Sequence, residues 1–442
     1  MIDLKMKILS LILILIFPAA ALAQDTLSLQ DAIEKALAGN FDIRLAKKSR
    51  EVADNNVNVG NAGMLPSVSA SGSANVSVTD IDMTIAAGQQ PMDITQDGSR
   101  TDNLNAGAQL NWTLFDGLAM FTSFEKYKQL QDKSKIEFQN AVEAMIRDLT
   151  DAYSNTIRLK KNLNVLQESI RIDLDRISRI KTKTEFGAAP GIELLNAQVD
   201  LNADSAAYLQ AEINYRNMKR RLNLIMGINI DEQFVLQDFI DFRGIPDFET
   251  LKLQAMENNT SINIALAEEE ISELDHDLII ASLYPRISAQ ASYNFSRQES
   301  EGGFMLLNQQ KGYSLGLTAS WQIFSGFQTR IAAENADIRT EMNSIMTERI
   351  RTQIMLTLQN TYDTYTRRRS VLEMERQNLQ TAERNFERSQ ELYQLGQISS
   401  VELRQAQLAL QRSENAINNA EFLLKTAETE LLLLSGRIMD RD

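Results

Sequence analysis

The sequence predicts a mainly α-helical fold that also carries transmembrane β-strands, four per protomer, arranged as a duplicated half-repeat. Three observations predict it. The chain repeats itself in order and spacing. Long stretches without proline carry sustained heptads. Four short segments alternate polar and apolar residues almost without charge.

The first element is a leader. Lys5 and Lys7 precede a mostly apolar run from Ile8 to Phe17, and Ala21-Leu22-Ala23 supplies small residues for cleavage. The run is too short to span a bilayer, so residues 1–23 read as a secretory signal. The formal net charge is −14. Removing the leader, with Asp3, Lys5 and Lys7, leaves the mature chain one charge more negative. Such an acidic chain is unsuited to nucleic acid, which demands a basic face. There is no cysteine, so disulfides, thiolate metal sites and a lipid-modified N-terminal cysteine are excluded. No apolar run beyond Ala23 is long enough for a transmembrane helix.

Residues 24–227 form the first repeat and 251–436 the second, joined by a linker at 228–250 and followed by a short tail at 437–442. "ALAGNFDIRLA" (36–46) parallels "AMENNTSINIA" (255–265), and Leu65-Pro66 parallels Tyr284-Pro285. "NWTLFDG" (111–117) parallels "SWQIFSG" (320–326), and "FGAAPGIELLNAQVDL" (186–201) parallels "LGQISSVELRQAQLAL" (395–410). Met226-Gly227 and Ser435-Gly436 close the halves. The offset falls from 219 to 209 between the paired strands, which predicts a longer loop in the first half.

Each half reads helix, strand, loop, strand, very long helix, tight turn, helix. The expected strands are 67–78, 103–115, 286–296 and 312–324, each with a two-residue period. Asp80, Asp82, Asp93, Asp97, Arg297, Glu299 and Glu301 are assigned to the loops. Residues 118–185 contain neither proline nor glycine, which permits one helix of about 100 Å. Leu149, Ala152, Thr156, Leu159, Leu163, Leu166, Ile170, Asp173, Ile177 and Ile180 follow steps of three and four, with only Thr156 and Asp173 breaking the apolar run. The returning helices keep steps of seven through Leu194, Leu201, Tyr208, Tyr215 and Leu222, and through Leu403, Leu410, Ile417, Leu424 and Leu431. A sustained seven-residue period predicts coiled-coil packing.

The strands fit either a soluble sheet on a helix bundle or a membrane barrel with its apolar face in lipid. The barrel is favoured. The chain is 24% charged, yet the expected strands hold one charge, Arg286. Their lengths match a tilted strand crossing a bilayer. Trp112 and Trp321 stand at equivalent strand ends, where interfacial aromatics belong. Four strands cannot close a barrel, and an open edge in lipid leaves backbone groups unpaired. The chain therefore has to oligomerise, and three copies give a trimeric 12-stranded barrel continuous with a long α-helical coiled-coil barrel.

The duplicated halves, the W-x-L/I-F-D/S-G junctions (Trp112–Gly117, Trp321–Gly326) and the L/F-G-x(4–5)-E-L hairpin turns resemble the TolC-like outer-membrane efflux proteins. The resemblance covers nearly all of the mature chain. It implies a homotrimer in the outer membrane of a Gram-negative-type bacterium, in contact with outer-membrane lipid and extended by a periplasmic α-helical tunnel. Such ducts meet an inner-membrane transporter through a periplasmic adaptor, and drugs, metals or proteins leave passively. It also implies that Glu193 and Glu402, at the two hairpin turns, form an acidic ring around a closed periplasmic aperture that Tyr393 helps to hold. Gln405 and Ile398 depart from the family's second acid and its basic residue. The tips around Gly187 and Gly396 are implied as the adaptor contact, and 228–250 as a belt.

The residues themselves offer a blander account of these acids. Ser399-x-x-Glu402 is a capping box, and any first-turn carboxylate favours the helix dipole. Gly187 and Gly396 fit helix termination. No catalytic constellation, nucleotide-binding motif, metal cluster or cofactor site emerges. His276, the single histidine, reads as a surface residue because Asp275 and Asp277 do not share its helix face. The expected function is a non-enzymatic exit duct of a tripartite efflux or type I secretion system. The alternative is a soluble periplasmic coiled-coil protein with a structural or binding role, and a secreted carboxylate hydrolase is a third class.

Overall fold

A computed structural model of the chain describes residues 26–87, 90–186, 190–302 and 305–440. The expected leader and Gly187 lie outside the described residues. The chain divides into two compact units, and each takes residues from both repeats. A helical unit comprises the chain through Ala46, Gln139–Asn259 and Gln353–Asp442; a sheet unit comprises Lys47–Phe138 and Thr260–Thr352.

In the helical unit, β1 (Thr26–Leu27) pairs in parallel with β4 (Val235–Leu236). Helix α1 (Leu29–Gly39) starts at Ser28, whose hydroxyl accepts from the Asp31 amide at 3.1 Å while the Asp31 carboxylate accepts from the Ser28 amide at 3.1 Å. Helix α2 (Phe41–Asn56) follows. The two longest helices, α3 (Ala119–Glu185) and α7 (Gln328–Gln394), have 67 residues each. Their returning partners are α4 (Gly191–Met226) and α8 (Ser400–Leu434). Helix α5 (Phe248–Asn258) is capped by Asp247. Of the heptad residues, Leu149, Ile180, Leu222 and Leu431 are fully enclosed, while Leu159, Leu163, Leu166, Ile170, Leu194, Tyr208 and Leu410 are only partly covered. Both interruptions are enclosed too. Thr156 satisfies its hydroxyl on its own helix, donating to the Ala152 carbonyl at 2.6 Å.

The returning helices end in the same way. Gly227 has φ +68° and Gly436 has φ +69°. A Cβ on Gly227 would lie 2.1 Å from the Gly39 carbonyl oxygen, and one on Gly436 would lie 2.7 Å from that of Asn258. The next residues, Asn40 and Asn259, donate their side-chain Nδ2 groups to the last-turn carbonyls of Ile225 (2.8 Å) and Leu434 (3.0 Å). Glycine is required because two backbones touch at these points.

In the sheet unit, β2 (Ser67–Ala87), β3 (Gln90–Phe115), β5 (Arg286–Ser300) and β6 (Leu307–Ser320) form one antiparallel sheet in the order β2-β3-β5-β6. Helix α6 (Thr260–Ala281) leads into β5. One sheet face exposes Val68, Val76, Leu315 and Leu317 at 63–77%. The other carries a polar ladder, with the Ser292 and Ser314 hydroxyls 2.8 Å apart. Each second strand turns into a long helix through two left-handed residues, Gly117-Leu118 and Gly326-Phe327. The preceding Asp116 and Ser325 accept from the amides of Met120 (3.2 Å) and Thr329 (3.3 Å). That is the physical content of the repeated F-D/S-G junction.

The strand boundaries correct the sequence reading. β2 and β3 continue past the four-stranded sheet, because only Thr101–Phe115 of β3 pairs with β5. Residues 79–87 and 90–100 belong to a two-stranded ribbon, so the extra length of the first half is largely paired strand rather than loop. Asp80, Asp82, Asp93, Asp97, Arg297 and Glu299 therefore lie in strands. Backbone pairing is indifferent to side-chain charge, so charge marks the end of the apolar face and not the end of the strand. β6 stops at Ser320, one residue before Trp321. Among the described residues, no helix is long and apolar enough to cross a membrane.

Candidate functional site

The two hairpin turns are built differently. On the α7–α8 side, Gly396 (φ +72°) ends α7: its amide donates to the Tyr393 carbonyl at 3.1 Å, and that of Gln397 to the Leu392 carbonyl at 2.8 Å. Helix α8 then starts with a complete capping box. The Ser399 hydroxyl accepts from the Glu402 amide at 3.2 Å, and the Glu402 carboxylate accepts from the Ser399 amide at 2.7 Å. Those bonds, the backbone one first, hold the exposed Glu402 carboxyl below its ordinary range. On the α3–α4 side, the N-cap is Pro190, which offers no side-chain bond. Glu193 is therefore free of capping duty, and it is half-buried.

Tyr393 faces inward. It is 5% exposed and packs with Phe386, Leu403 and Ala406; Ile172 and Ile398 pack against the same cluster. Ile398, where the family's basic residue is absent, thus joins the apolar contact. The Lys183 ammonium lies 4.7 Å from the Tyr393 ring centroid, within cation–π range. Burial raises the phenol above its ordinary value, and the Glu193 charge raises it further. Its hydroxyl is buried without a hydrogen-bond partner among the described residues.

Beside them lies a buried charge cluster that the sequence reading did not assemble. Arg404 grips Asp204 with two bonds of 2.9 Å and comes within 3.5 Å of Asp173. Arg176 reaches Asp200 at 2.7 Å and Asp173 at 3.2 Å. The Gln407 amide donates to the Ser169 hydroxyl at 3.0 Å and to Asp173 at 3.3 Å; the Ser169 hydroxyl donates to Asp204 at 2.6 Å. Asp173 is fully enclosed and Arg176 nearly so. Three carboxylates thus face two guanidiniums across α3, α4 and α8. Burial pushes the Asp173 carboxyl up to about 6 despite Arg404 and Arg176. Burial would raise Asp204 as well, but the Arg404 and Ser169 hydrogen bonds outweigh it and hold that carboxyl below its ordinary range. One signal was available: Asp173 interrupts an apolar heptad, and a buried charge requires partners. A groove of about 250 Å³ joins the cluster to the hairpin turn, lined by Arg176, Glu193, Asp200, Ser400 and Arg404. Glu193 and Tyr393 are therefore brought together at this end. Glu402 is absent from the groove, committed to its own helix start.

The two tryptophans share one local geometry. Trp112 donates its indole N–H to the Met64 carbonyl and Trp321 to the Leu283 carbonyl, both at 2.9 Å. Each acceptor stands two residues before the proline that opens the preceding strand. The rings stay exposed, at 41% and 61%. His276 departs from the surface expectation. It is half-buried, with Nε2 3.2 Å from Asp337 and Nδ1 3.4 Å from Asp277. The imidazole reaches back to its chain neighbour even though the two Cβ atoms diverge. Among the described residues, no group of acidic and histidine side chains could hold a metal ion.

A family profile described as outer membrane efflux protein matches residues 32–228 and 252–437. Solved structures share the fold. The CmeC outer membrane channel of Campylobacter jejuni is 16% identical with a TM-score of 0.76, over 94% of this chain and 87% of that one. VceC, an outer membrane protein of Vibrio cholerae, is 14% identical with a TM-score of 0.71, over 92% and 96%. The open state of the Neisseria gonorrhoeae MtrE outer membrane channel is 15% identical with a TM-score of 0.70, over 93% and 89%.

Proposed function

Because the chain belongs to the outer membrane efflux protein family, and so serves as an exit duct in the outer membrane, we propose that it works as a homotrimer whose hairpin ends form a closable periplasmic aperture. The observation that carries the trimer is the sheet. It has four strands, two open edges at β2 and β6, and an exposed apolar face. Lipid tolerates neither open edge. Three sheets joined edge to edge give a closed barrel of twelve strands, with the apolar face in lipid and the serine and asparagine face lining water. Trp112 and Trp321 then sit at the membrane boundary, and 228–250 forms a belt around the helical tunnel.

At the aperture, Glu193 supplies the acidic ring, since its carboxylate is free of capping and lines the groove. Glu402 contributes charge from an exposed, capped position. Tyr393 anchors α7 against α8. The tips at 186–193 and 395–402, with Gly187 and Gly396, face a periplasmic adaptor, and the inner-membrane transporter supplies the energy. Planar-bilayer recording tests the aperture. The wild-type duct shows a small, stable conductance, and the Glu193→Ala, Glu402→Ala, Tyr393→Phe variant a larger one. A pore with unchanged conductance discards the aperture assignment and keeps the duct.

A further inference from the structure

The ribbon at the end of the first hairpin reverses the polarity of the sheet from which it grows. Along β2, even positions carry the apolar face (Val68, Ala70, Val76, Val78) and odd positions the polar one (Ser67, Ser73, Ser77, Thr79). Beyond Thr79 the faces exchange character. Asp80, Asp82 and Thr84 follow Val78, while Ile81, Met83 and Ile85 follow Thr79. The partner strand agrees: Met92 opposes Ile85 and Ile94 opposes Met83, while Asp93 opposes Thr84 and Thr95 opposes Asp82. Asp80, Asp82, Asp93 and Thr95 are exposed, whereas Ile81, Met83, Ile85 and Ile94 are partly covered.

The reversal coincides with a bulge. The register shifts between Thr79 and Ile81, and Gly98 takes φ +66° with its amide donating to the Asp80 carboxylate at 2.7 Å. The extra residue lies on β3 alone, so the alternation of β2 runs through unbroken. The base of the ribbon is also tied to the residues just beyond β5. The Gln96 carboxamide occupies the space a Cβ on Gly302 would need, 1.9 Å away, and donates to the Glu301 carbonyl at 3.4 Å. Beneath it, Ser99 is 1% exposed.

A two-stranded ribbon with one apolar face is not stable alone in water, and such a face calls for a partner. We propose that Ile81, Met83, Ile85, Met92 and Ile94 are the contact through which the ribbons of the three protomers meet on the duct axis, forming an apolar collar that narrows the outer mouth. The proposal rests on the trimeric reading above. The occupant is a second copy of this chain because the apolar face continues the face that lines the pore. What stands across a pore from that face is the same face of a neighbouring protomer. Lipid would meet the opposite face, which is acidic. That acidic face turns outward, so the like charges of three copies stay apart. An apolar constriction resists water and ions by dewetting and yields to cargo pushed from below.

The chain has no cysteine, so single cysteines report directly. The full-length protein carrying Met83→Cys is treated with a short bismaleimide, with Asp82→Cys on the opposite face as control. Cross-linked pairs form at Met83→Cys and not at Asp82→Cys. With the periplasmic aperture opened by Glu193→Ala, Glu402→Ala and Tyr393→Phe, adding Ile81→Ser, Met83→Ser and Ile94→Ser (the serine variant) raises single-channel conductance by about twofold or more, while adding Asp82→Asn with Asp93→Asn leaves it unchanged. Light scattering in detergent separates the two failures. A sound trimer with no Met83→Cys cross-link, or with unchanged conductance in the serine variant, overturns the collar and spares the duct. A particle of other than three chains overturns the collar together with the trimer.

Discussion

At the residue scale, the decisive side chain is Asp173. It sits where a heptad demands an apolar residue, and it is tolerated because Arg176, Arg404 and Gln407 surround it. Its carboxyl, at about 6, stands above the ordinary value of 3.8. The folded chain therefore binds more protons than the unfolded chain between about pH 4 and 6, and this residue's contribution to stability is lost as pH rises through 6. Asp204 has the opposite shift, so its contribution is present above pH 4 and is lost only in stronger acid. The Asp173→Asn variant should remove the first slope. Thermal unfolding of both proteins from pH 4 to 7 checks this: the variant gains on wild type as pH rises toward 7, and a constant difference contradicts the assignment. Composition could not expose this cluster, because its members come from three helices and are brought together only by packing. The capping role of Glu402, by contrast, was legible from four consecutive residues, since a cap is a local bond.

At the element scale, the repeated glycines separate conformational need from contact need. Gly396 and Gly227 both have positive φ, but a Cβ on Gly396 meets open space while one on Gly227 meets the Gly39 backbone. Gly396→Ala should therefore cost only the left-handed penalty, about 1–2 kcal/mol. Gly227→Ala adds a backbone clash and should cost roughly 2–4 kcal/mol in total. The midpoint of thermal inactivation in detergent ranks them, and equal effects would refute the close approach. Helix length and strand position were readable because proline, heptads and two-residue alternation are short-range signals. The ends of β2 and β3 were not, because pairing continues wherever two backbones remain in register, and side-chain charge has little influence on that.

At the scale of the whole molecule, a chain this acidic with a carboxylate at each hairpin turn should pass cations in preference to anions. Reversal potentials in a salt gradient should move toward zero in the Glu193→Gln, Glu402→Gln variant, and no movement would remove the acidic ring. The class of the protein was legible along the chain: its duplication, its long heptad helices and its charge-poor alternating strands. These follow from periodicity and backbone hydrogen bonding, which act over a few residues and can be read along a line. Tertiary structure alone decided which charges are buried together, which of the two hairpin glutamates is free, and that the first hairpin continues as a ribbon of inverted polarity. Those outcomes depend on which distant segments come into contact, because desolvation and packing act between neighbours in space.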